Sequence, residues 1–550
     1  MLGATISTPV SWGETPEERC KRETEAYNRL WQEDWIRNHP KETGIAVGLR
    51  HDDDTPAIIA DCVTKARRAT YIPRAAQHPT NIPPANNNTH GNDLVFFKGP
   101  HPLLSQLSAP TEVPITYRKN GSMDTMNSFP STSLLRRTIL LASATALLLG
   151  TAGSYAPSAS ATPLPIWDTT PTPAFYHTTQ AQQGMKHGTL IRSQRVYGNP
   201  VLGSHRAYRT VFASRNTFNR PITGSAAVVL PQQVKAGTPI VVINDMINSL
   251  GRSCQPSFAL DAKRGSVYIQ QNKRAYKEAL GYLKRGWAVI LPDFLGMNSE
   301  YGANIMSGRV ILDAVEAATN STIFGLHTSK AVLTGYSGGG MATMYAAAQQ
   351  PFYSPRSHII AAAAGGAPVD LPWMVGLFQK LGNIPNPAFG YATGVLIGME
   401  REYGSHRMNV YGRMTPLGKN IVRKSRSLCH DQMLKLSENQ TPKTMFGMTD
   451  LLSMKDMVAV GRENSLTYYK PIPTMPLFIY GAYTDIGVPL SLMQRVVIRY
   501  KKERPQLPIV FAPQIGPNHM DAFRQAQPLV RQWMADRFAG KPAPNTAIAF

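Results

Sequence analysis

The chain has 550 residues, of which 43% are hydrophobic, and a formal net charge of +22. A chain of this length can bury a large core and can hold more than one domain. Its basic residues are scattered singly rather than in runs interleaved with aromatic residues, which argues against nucleic acid as a partner. A solvated surface, or attraction to an anionic cell envelope, explains the charge better.

Residues 1–125 predict no stable domain. They hold 14 Lys and Arg against 15 Asp and Glu, so the basic excess lies entirely in the later part of the chain. Their one helical patch, "ETPEERCKRETEAYNRLWQEDWIRN", is charged on nearly every side and would bury little surface. We interpret 1–125 as upstream sequence that was read through, with Met123 or Met126 as the true start. The alternative is a real extension that is mostly disordered.

Residues 126–161 have the pattern of a secretory signal peptide. Two arginines precede a mainly apolar run of twelve residues (138–149), and Ala-Ser-Ala at 159–161 supplies a small-x-small cleavage pattern. The apolar run is too short to span a bilayer comfortably. We therefore expect a secreted or cell-envelope protein with no stable transmembrane segment after processing. The alternative, a buried core helix, needs a folded domain upstream.

Two of the four cysteines, Cys254 and Cys429, lie beyond the predicted cleavage point. One pair of cysteines in an exported protein favours one disulfide. The alternative is two unpaired, buried thiols.

From residue 162 onward, strand patterns alternate with helical ones. "YRTVFASRNTFNRPITGSAAVVLP" predicts two antiparallel strands joined by a turn at 219–221. The other predicted strands are "TPIVVIND", "WAVILPD", "KAVLTGYS", "SHIIAAAAGGAP", "MPLFIYGAYTD" and "LPIVFAP". The predicted helices between them include "RAYKEALGYLKRG", "GRVILDAVEAAT" and "GGGMATMYAAAQQ". This alternation with short links predicts a mostly parallel α/β sheet.

Ser337 lies where one of these buried strands turns sharply into a helix, in "TGYSGGGM". Gly335 and Gly339 stand where a side chain would clash in such a turn. The turn would expose the serine hydroxyl at the sheet edge, beside the Gly338 N–H at a helix N-terminus. The G-x-S-x-G pattern is weak alone, but its strand–turn–helix context predicts a nucleophilic serine.

A serine nucleophile needs a base, and the base needs an acidic partner. In α/β-hydrolases these follow the serine in the order Asp or Glu, then His, each just after a strand. Asp485 in "PLFIYGAYTDIGVP" and His519 in "PIVFAPQIGPNHMDAF" fit this order, which predicts the triad Ser337–Asp485–His519. Taken singly, Asp485 could be a turn former and His519 a surface loop residue. The irregular sequence around His406 and His430 argues against either histidine as the catalytic base.

Residues 190–545 resemble the secretory lipase family, the lipase-A-like branch of the α/β-hydrolases. The resemblance is carried by "SCQPS", "ALGYLKRGWAVILPDFLGMNSEY", "LDAVEAA" with "GYSGGGMATMYAA", and "YGAYTDIGVP". It implies an α/β-hydrolase fold with a mainly helical cap inserted before the acid residue of the triad, and no cofactor or metal. We accordingly expect a first core segment at 162–371, the cap at 372–470 and a second core segment at 471–550.

The strand predicted at 238–245 ends in Asn244-Asp245-Met246, where many members of this family have His-Gly-Thr. The resemblance to the lipase-A branch implies that the backbone N–H of Asp245 donates to the oxyanion, together with that of Gly338. The alternative is that Asp245 is only a turn residue at a strand end.

These observations predict a secreted lipase or carboxylesterase that hydrolyses triacylglycerol-like acyl esters through an acyl-enzyme. Its partner would be a lipid or ester substrate, at a lipid–water interface where the substrate forms one, and the protein is expected to be a monomer. The alternative is an envelope acyltransferase that passes the acyl group to an alcohol through the same triad. We also expect a disulfide between Cys254 and Cys429 to tie the loop after the 238–245 strand to the cap.

Overall fold

The computed structural model describes residues 165–380, 389–485, 487–514 and 518–547. The predictions about 1–125 and about the signal peptide at 126–161 lie outside these ranges. Within them, no helix is both long enough and apolar enough to cross a bilayer.

One sheet organises the described part of the chain. Its nine strands are β1 (Leu190–Val196), β2 (Arg206–Arg215), β3 (Pro221–Leu230), β4 (Ile240–Asn244), β5 (Ala288–Pro292), β6 (Ala331–Tyr336), β7 (Ile359–Gly365), β8 (Leu477–Ala482) and β9 (Ile509–Gln514). They stand in the order β1-β2-β3-β5-β4-β6-β7-β8-β9. Strands β1, β2, β3 and β5 pair antiparallel, and every pair from β5 to β9 is parallel.

All the strands predicted from the sequence are present, including the β2–β3 hairpin. Strand β1 is not predicted from the sequence, and its side chains are mostly half-buried or exposed. Strand β1 lies at the edge of the sheet and pairs only with β2. An edge strand with one solvated face needs few apolar residues, so it leaves a weak sequence pattern.

Thirteen α-helices accompany the sheet among the described residues. They are α1 (Gln180–Gly184), α2 (Val267–Leu283), α3 (Asn304–Thr319), α4 (Gly338–Tyr353), α5 (Leu371–Lys380), α6 (Phe389–Tyr403), α7 (Val410–Arg413), α8 (Pro416–Ser425), α9 (His430–Ser437), α10 (Pro442–Phe446), α11 (Lys455–Glu463), α12 (Leu490–Glu503) and α13 (His519–Phe538). Three short 3₁₀ helices lie at Ala174–Tyr176, Arg252–Cys254 and Leu451–Ser453.

The sheet lies between two layers of helices. Helices α3, α4 and α12 contribute to the hydrophobic cluster on one face, and α2 and α13 contribute to the cluster on the other. Every residue of β4, β5, β6 and β8 is buried. Parallel strands covered on both faces read as continuous apolar runs, which is why the sequence predicted them well. Each fully buried aliphatic side chain stabilises the fold by about 1.5–3 kcal/mol.

Helices α5 to α11 lie between β7 and β8 and form the helical cap that the sequence predicted. Helix α6 packs closely against the loop that follows β5. A Cβ added at Gly398 would overlap the backbone nitrogen and the carbonyl oxygen of Tyr301. The absence of a side chain at Gly398 therefore allows the cap to contact the core backbone directly.

We expect Gly398→Ala to lower the free energy of unfolding by about 1–3 kcal/mol, because the methyl group would force α6 away from Tyr301. Gly281→Ala is the matched control. Gly281 also lies inside a helix, but nothing is within 4 Å of its added Cβ. There alanine should stabilise by about 0.5–1 kcal/mol through helix propensity. Urea unfolding of both variants tests this, and equal effects of the two substitutions would contradict it.

Candidate active site

Ser337 is the single residue between β6 and α4, and its backbone is strained. Its φ is +54° and its ψ is −125°, a conformation that residues other than glycine rarely adopt. Such a conformation costs about 1–3 kcal/mol and persists only where its surroundings enforce it. The Ser337 N–H donates to the Gly365 carbonyl oxygen at 2.9 Å, and the Met341 N–H donates to the Ser337 carbonyl oxygen at 2.9 Å. The strand, turn and helix predicted around Ser337 are therefore present.

The glycines around Ser337 allow this turn to touch neighbouring backbone. A Cβ at Gly339 would overlap the carbonyl oxygen of Asn244, the last residue of β4. A Cβ at Gly335 would overlap the carbonyl oxygen of Gly339 itself. The turn that carries Ser337 is thus packed directly against the end of β4, where Asp245 follows.

Asp485 and His519 come together, as the sequence predicted. The Nδ1 atom of His519 is 2.5 Å from Oδ2 of Asp485. The other oxygen of Asp485, Oδ1, accepts the backbone N–H groups of Gly487 at 3.1 Å and Val488 at 2.9 Å. Asp485 is buried, so these bonds fix the direction of its carboxylate. One oxygen is held by the backbone and the other is left for the imidazole.

The imidazole of His519 lies beside the residue that precedes Ser337. Its ring centroid is 4.7 Å from that of Tyr336, and the Tyr336 hydroxyl donates to the His519 carbonyl oxygen at 2.5 Å. Burial, and then the charge of Asp485, raise the pKa of Tyr336 well above its usual value, so the phenol stays a donor. The Nε2 atom of His519 is buried and has no hydrogen-bond partner among the residues that the structure describes. Since Nδ1–H faces the carboxylate, neutral His519 keeps Nε2 as a free acceptor.

Asp245 follows β4 and lies next to the Ser337 turn. Its Oδ1 accepts the backbone N–H of Met246 at 2.8 Å and the guanidinium of Arg274 in α2. Its Oδ2 is buried without a hydrogen-bond partner in the described ranges. Gly338, the first residue of α4, has an N–H with no acceptor inside the helix, as at every helix start. The proposed oxyanion donors, Asp245 and Gly338, are therefore both close to the Ser337 turn.

A small cavity lies at the ends of β4 and β6. The charged and aromatic residues that line it are Asp245, Arg274, Glu278, Tyr336, Tyr480 and Phe523. Burial, and then the charge of Asp245, raise the pKa of Glu278 to about 7. The cavity thus has two neighbouring carboxyl groups with one guanidinium beside them.

His430, at the start of α9, makes hydrogen bonds that the sequence did not predict, although its surroundings there argued against it as the base. Its Nε2 is 2.6 Å from the Tyr391 hydroxyl, and its Nδ1 is 2.5 Å from Oδ1 of Asp431. The backbone N–H of His430 donates to Oε1 of Gln271 at 3.2 Å, which links the cap to α2. The only trace of this in the sequence is the neighbouring His-Asp pair, because Tyr391 is far away in the chain.

One cluster of the described residues has the composition of a metal site: His187, Asp313 and Glu316. However, its central carboxylate is already occupied by protein donors. Nδ1 of His187 is 2.7 Å from Oδ1 of Asp313, and the hydroxyls of Ser214 and Tyr353 donate to Oδ2 at 2.6 and 2.8 Å. We interpret this cluster as an internal hydrogen-bond network. The expectation of a reaction without a cofactor stays a prediction.

Cys254 and Cys429 are bonded, which confirms the predicted disulfide. Cys254 ends the 3₁₀ helix in the loop after β4, and Cys429 immediately precedes α9 of the cap. Next to the bridge, the Gly251 N–H donates to the carbonyl oxygen of Leu428 at 3.1 Å. One edge of the cap is thus fixed to the loop that follows Asp245.

A mixed sheet between helical layers, a serine at a strained strand–helix turn and a histidine hydrogen-bonded to a buried aspartate define an α/β-hydrolase with a cap. The profile of the secretory lipase family matches residues 267–546, about half of the chain. The chain belongs to the secretory lipase family and is a secreted, extracellular lipase. This confirms the resemblance seen in the sequence.

Individual relatives agree with this assignment. The chain is 26% identical over 380 residues to the secreted triacylglycerol lipase LIP7 of Malassezia globosa, covering 67% of this chain and 79% of that protein. It is 24% identical over 386 residues to the probable inactive lipase MT1628 of Mycobacterium tuberculosis, covering 68% and 83%. Among solved structures, closed Candida antarctica lipase A superposes with a TM-score of 0.61 at 20% identity, covering 70% of this chain and 90% of that one. At this identity the superposition shows the fold alone.

Removing the disulfide should destabilise the protein by about 5 kcal/mol, because the bridge closes a long loop in the unfolded chain. The sequence separation of the two cysteines is 175 residues. Urea unfolding of a Cys254→Ser/Cys429→Ser variant tests this against the wild-type protein. In the presence of a reductant strong enough to open the bridge, both proteins should unfold at similar urea concentrations. Free, alkylatable thiols at both positions in secreted wild-type protein would contradict the bridge.

Proposed function

We propose that this lipase hydrolyses triacylglycerol-like acyl esters through an acyl-enzyme on Ser337, with His519 as the base and Asp485 as its partner. The observation that carries the proposal is the Asp485–His519 hydrogen bond, with Nε2 of His519 left unpartnered among the described residues and the imidazole packed beside Tyr336, the residue before the strained Ser337 turn. The triacylglycerol lipases among the relatives support the substrate class. One relative is named a probable inactive lipase, so the test of activity is made on the residues of this site.

The chemistry follows from the groups in place. The Ser337 hydroxyl attacks the ester carbonyl carbon while Nε2 of His519 takes its proton, and the same proton then passes to the leaving alcohol. Asp485 stabilises the imidazolium because its carboxylate accepts the hydrogen bond from Nδ1–H. Water then attacks the acyl-enzyme with His519 again as the base, which releases the fatty acid and restores the serine.

The negative charge that develops on the carbonyl oxygen needs donors that are already in position. We assign this role to the backbone N–H groups of Asp245 and Gly338. The N-terminus of α4 adds a partial positive charge at the same place. Removing one such donor in other serine hydrolases slows turnover by about 10²–10³-fold, so these two amides would supply a large part of the catalysis.

The cap begins close to this chemistry, which suits a long acyl chain. A Cβ at Gly366 would lie 2.8 Å from the imidazole Cε1 of His519, and the first cap helix, α5, starts at Leu371. An acyl chain that extends from the carbonyl carbon would therefore contact cap helices. Hydrolysis of p-nitrophenyl esters from acetate to palmitate would show which chain lengths the cap accepts.

Ser337→Ala should lower kcat on these esters by at least about 10⁴-fold, as loss of a triad nucleophile does in other serine hydrolases. Ser321→Ala, in the loop after α3, is the matched control and should keep full activity. A phosphonate inhibitor should label wild-type protein at Ser337 and leave the Ser337→Ala variant unlabelled. Near-normal turnover of Ser337→Ala, or labelling of another serine, would overturn the assignment.

The acyltransferase alternative differs from the proposed hydrolase in its main product. With glycerol added to the assay, a hydrolase still releases mainly free fatty acid, whereas an acyltransferase forms mainly a new ester. Quantifying both products from one labelled substrate decides between the two activities.

A further inference from the structure

We propose that Arg274 is a positioning residue that holds the oxyanion loop, residues 245–248, in its catalytic position. The inference rests on the proposed function, since it concerns how the Asp245 N–H is aimed. The guanidinium of Arg274 forms an ion pair with Oδ1 of Asp245. The same Oδ1 accepts the N–H of Met246, the next residue of the loop. The arginine therefore fixes the carboxylate around which the loop turns.

Arg274 also reaches the helix that carries His519. Its guanidinium carbon lies 5.8 Å from the ring centroid of Phe523 in α13. The Phe523 ring is 5.1 Å from that of Tyr336, whose hydroxyl donates to the His519 carbonyl oxygen. One cation thus contacts both the oxyanion loop and the aromatic side chains that pack next to His519.

The surroundings of Asp245 explain why a cation is needed at this place. Asp245 is only 5% exposed, and its Oδ2 has no hydrogen-bond partner among the described residues. A buried carboxylate without a counter-charge is costly, and it escapes that cost by turning toward water or by binding a proton. Glu278, on the same helix, also lines this cavity, but it is acidic and cannot serve as the counter-charge of Asp245. Among the residues lining the cavity, Arg274 carries the positive charge, and its guanidinium contacts Oδ1 of Asp245.

Helix α2 is a suitable support for this role because it holds the loop at a second point. The side-chain amide of Gln271 donates to the carbonyl oxygen of Ile247 at 3.1 Å. Gln271 and Arg274 lie three residues apart, so they project from the same face of the helix. The helix is itself held in the core, where the hydroxyl of buried Tyr276 donates to the Pro256 carbonyl oxygen at 2.7 Å. The oxyanion loop is therefore attached to a rigid element on both sides of Met246.

Loss of this attachment should affect turnover more than substrate binding. A displacement of about 1 Å in a catalytic group can slow the reaction by about 10²-fold. An oxyanion donor acts mainly on the transition state, so its loss lowers kcat with little change in KM. A residue that only stabilises the fold would instead lower the amount of active protein, with kcat per active site unchanged.

The test compares Arg274→Met, which keeps length and loses charge, with Arg274→Lys, which keeps the charge. Lys273→Met is the matched control, because Lys273 is the exposed neighbour on the same helix. Active sites are counted by phosphonate titration, and kcat and KM are measured for p-nitrophenyl butyrate. We expect kcat per titrated site to fall about 10–100-fold in Arg274→Met with KM changed less than about threefold. Arg274→Lys should recover part of the loss, and Lys273→Met should match wild type.

A double-mutant cycle with Asp245→Asn tests whether Arg274 acts through Asp245. Asparagine keeps the backbone N–H and the acceptor for Met246 but removes the charge that Arg274 neutralises. If the ion pair positions the loop, adding Arg274→Met to Asp245→Asn should lower kcat by less than about twofold further. Independent, multiplicative losses would overturn the proposal, as would unchanged kcat per titrated site in Arg274→Met.

The two proposals can fail separately. If the phosphonate labels Ser337 in wild-type protein and Arg274→Met has normal kcat, only the role of Arg274 is wrong. If wild-type protein is not labelled at Ser337, the proposed function itself is wrong.

Discussion

A single buried guanidinium, that of Arg401 in cap helix α6, joins parts of the chain that are far apart in sequence. It is only 4% exposed, and burial lowers its pKa to about 10. Its nitrogen atoms donate six hydrogen bonds of 2.6–3.1 Å, all to backbone carbonyl oxygens. The acceptors are Ile166, Leu250, Asn298, Ser299 and Arg426. Buried carbonyl groups are costly without donors. This one side chain supplies donors to carbonyl groups of the cap, of two core loops and of Ile166, and so stabilises the contact between these segments.

The loops that Arg401 joins are also the ones that support the candidate site. Leu250 follows the oxyanion loop, and the bridge from Cys254 to Cys429 lies a few residues further on. The strained turn at Ser337 packs against the end of β4, immediately before the same loop. Because a strained conformation persists only where its surroundings leave no alternative, the stability of this loop is a condition for the geometry of Ser337. The cap therefore contributes to the site even where it does not touch substrate.

Much of the fold and of the site could be predicted from the sequence, for physical reasons. Buried parallel strands such as β4 and β6 are continuous apolar runs, and a sharp strand–helix turn leaves its glycines at fixed spacings around Ser337. Asp485 and His519 could be found because each follows a strand, and parallel strands end at one edge of the sheet. Arg401 and Arg274 could not be found in this way. Their partners are backbone oxygens or a distant carboxylate, and neither leaves a pattern near the arginine.

The same contacts limit how the cap can open. Where the cap joins the core, the Leu371 N–H donates to the hydroxyl of Ser465 at 2.8 Å, and the Thr467 N–H donates to the Val369 carbonyl oxygen at 3.2 Å. The two ends of the insertion are thus joined to each other, and its far edge is fixed by the disulfide and by Arg401. A rigid rotation of the whole cap would have to break a covalent bond or leave buried carbonyl groups unpaired, at about 1–3 kcal/mol for each group. Under the proposed function, access for a long acyl chain would come from local shifts of cap helices between these fixed points, with the loop at 245–248 still attached to α2 through Arg274 and Gln271.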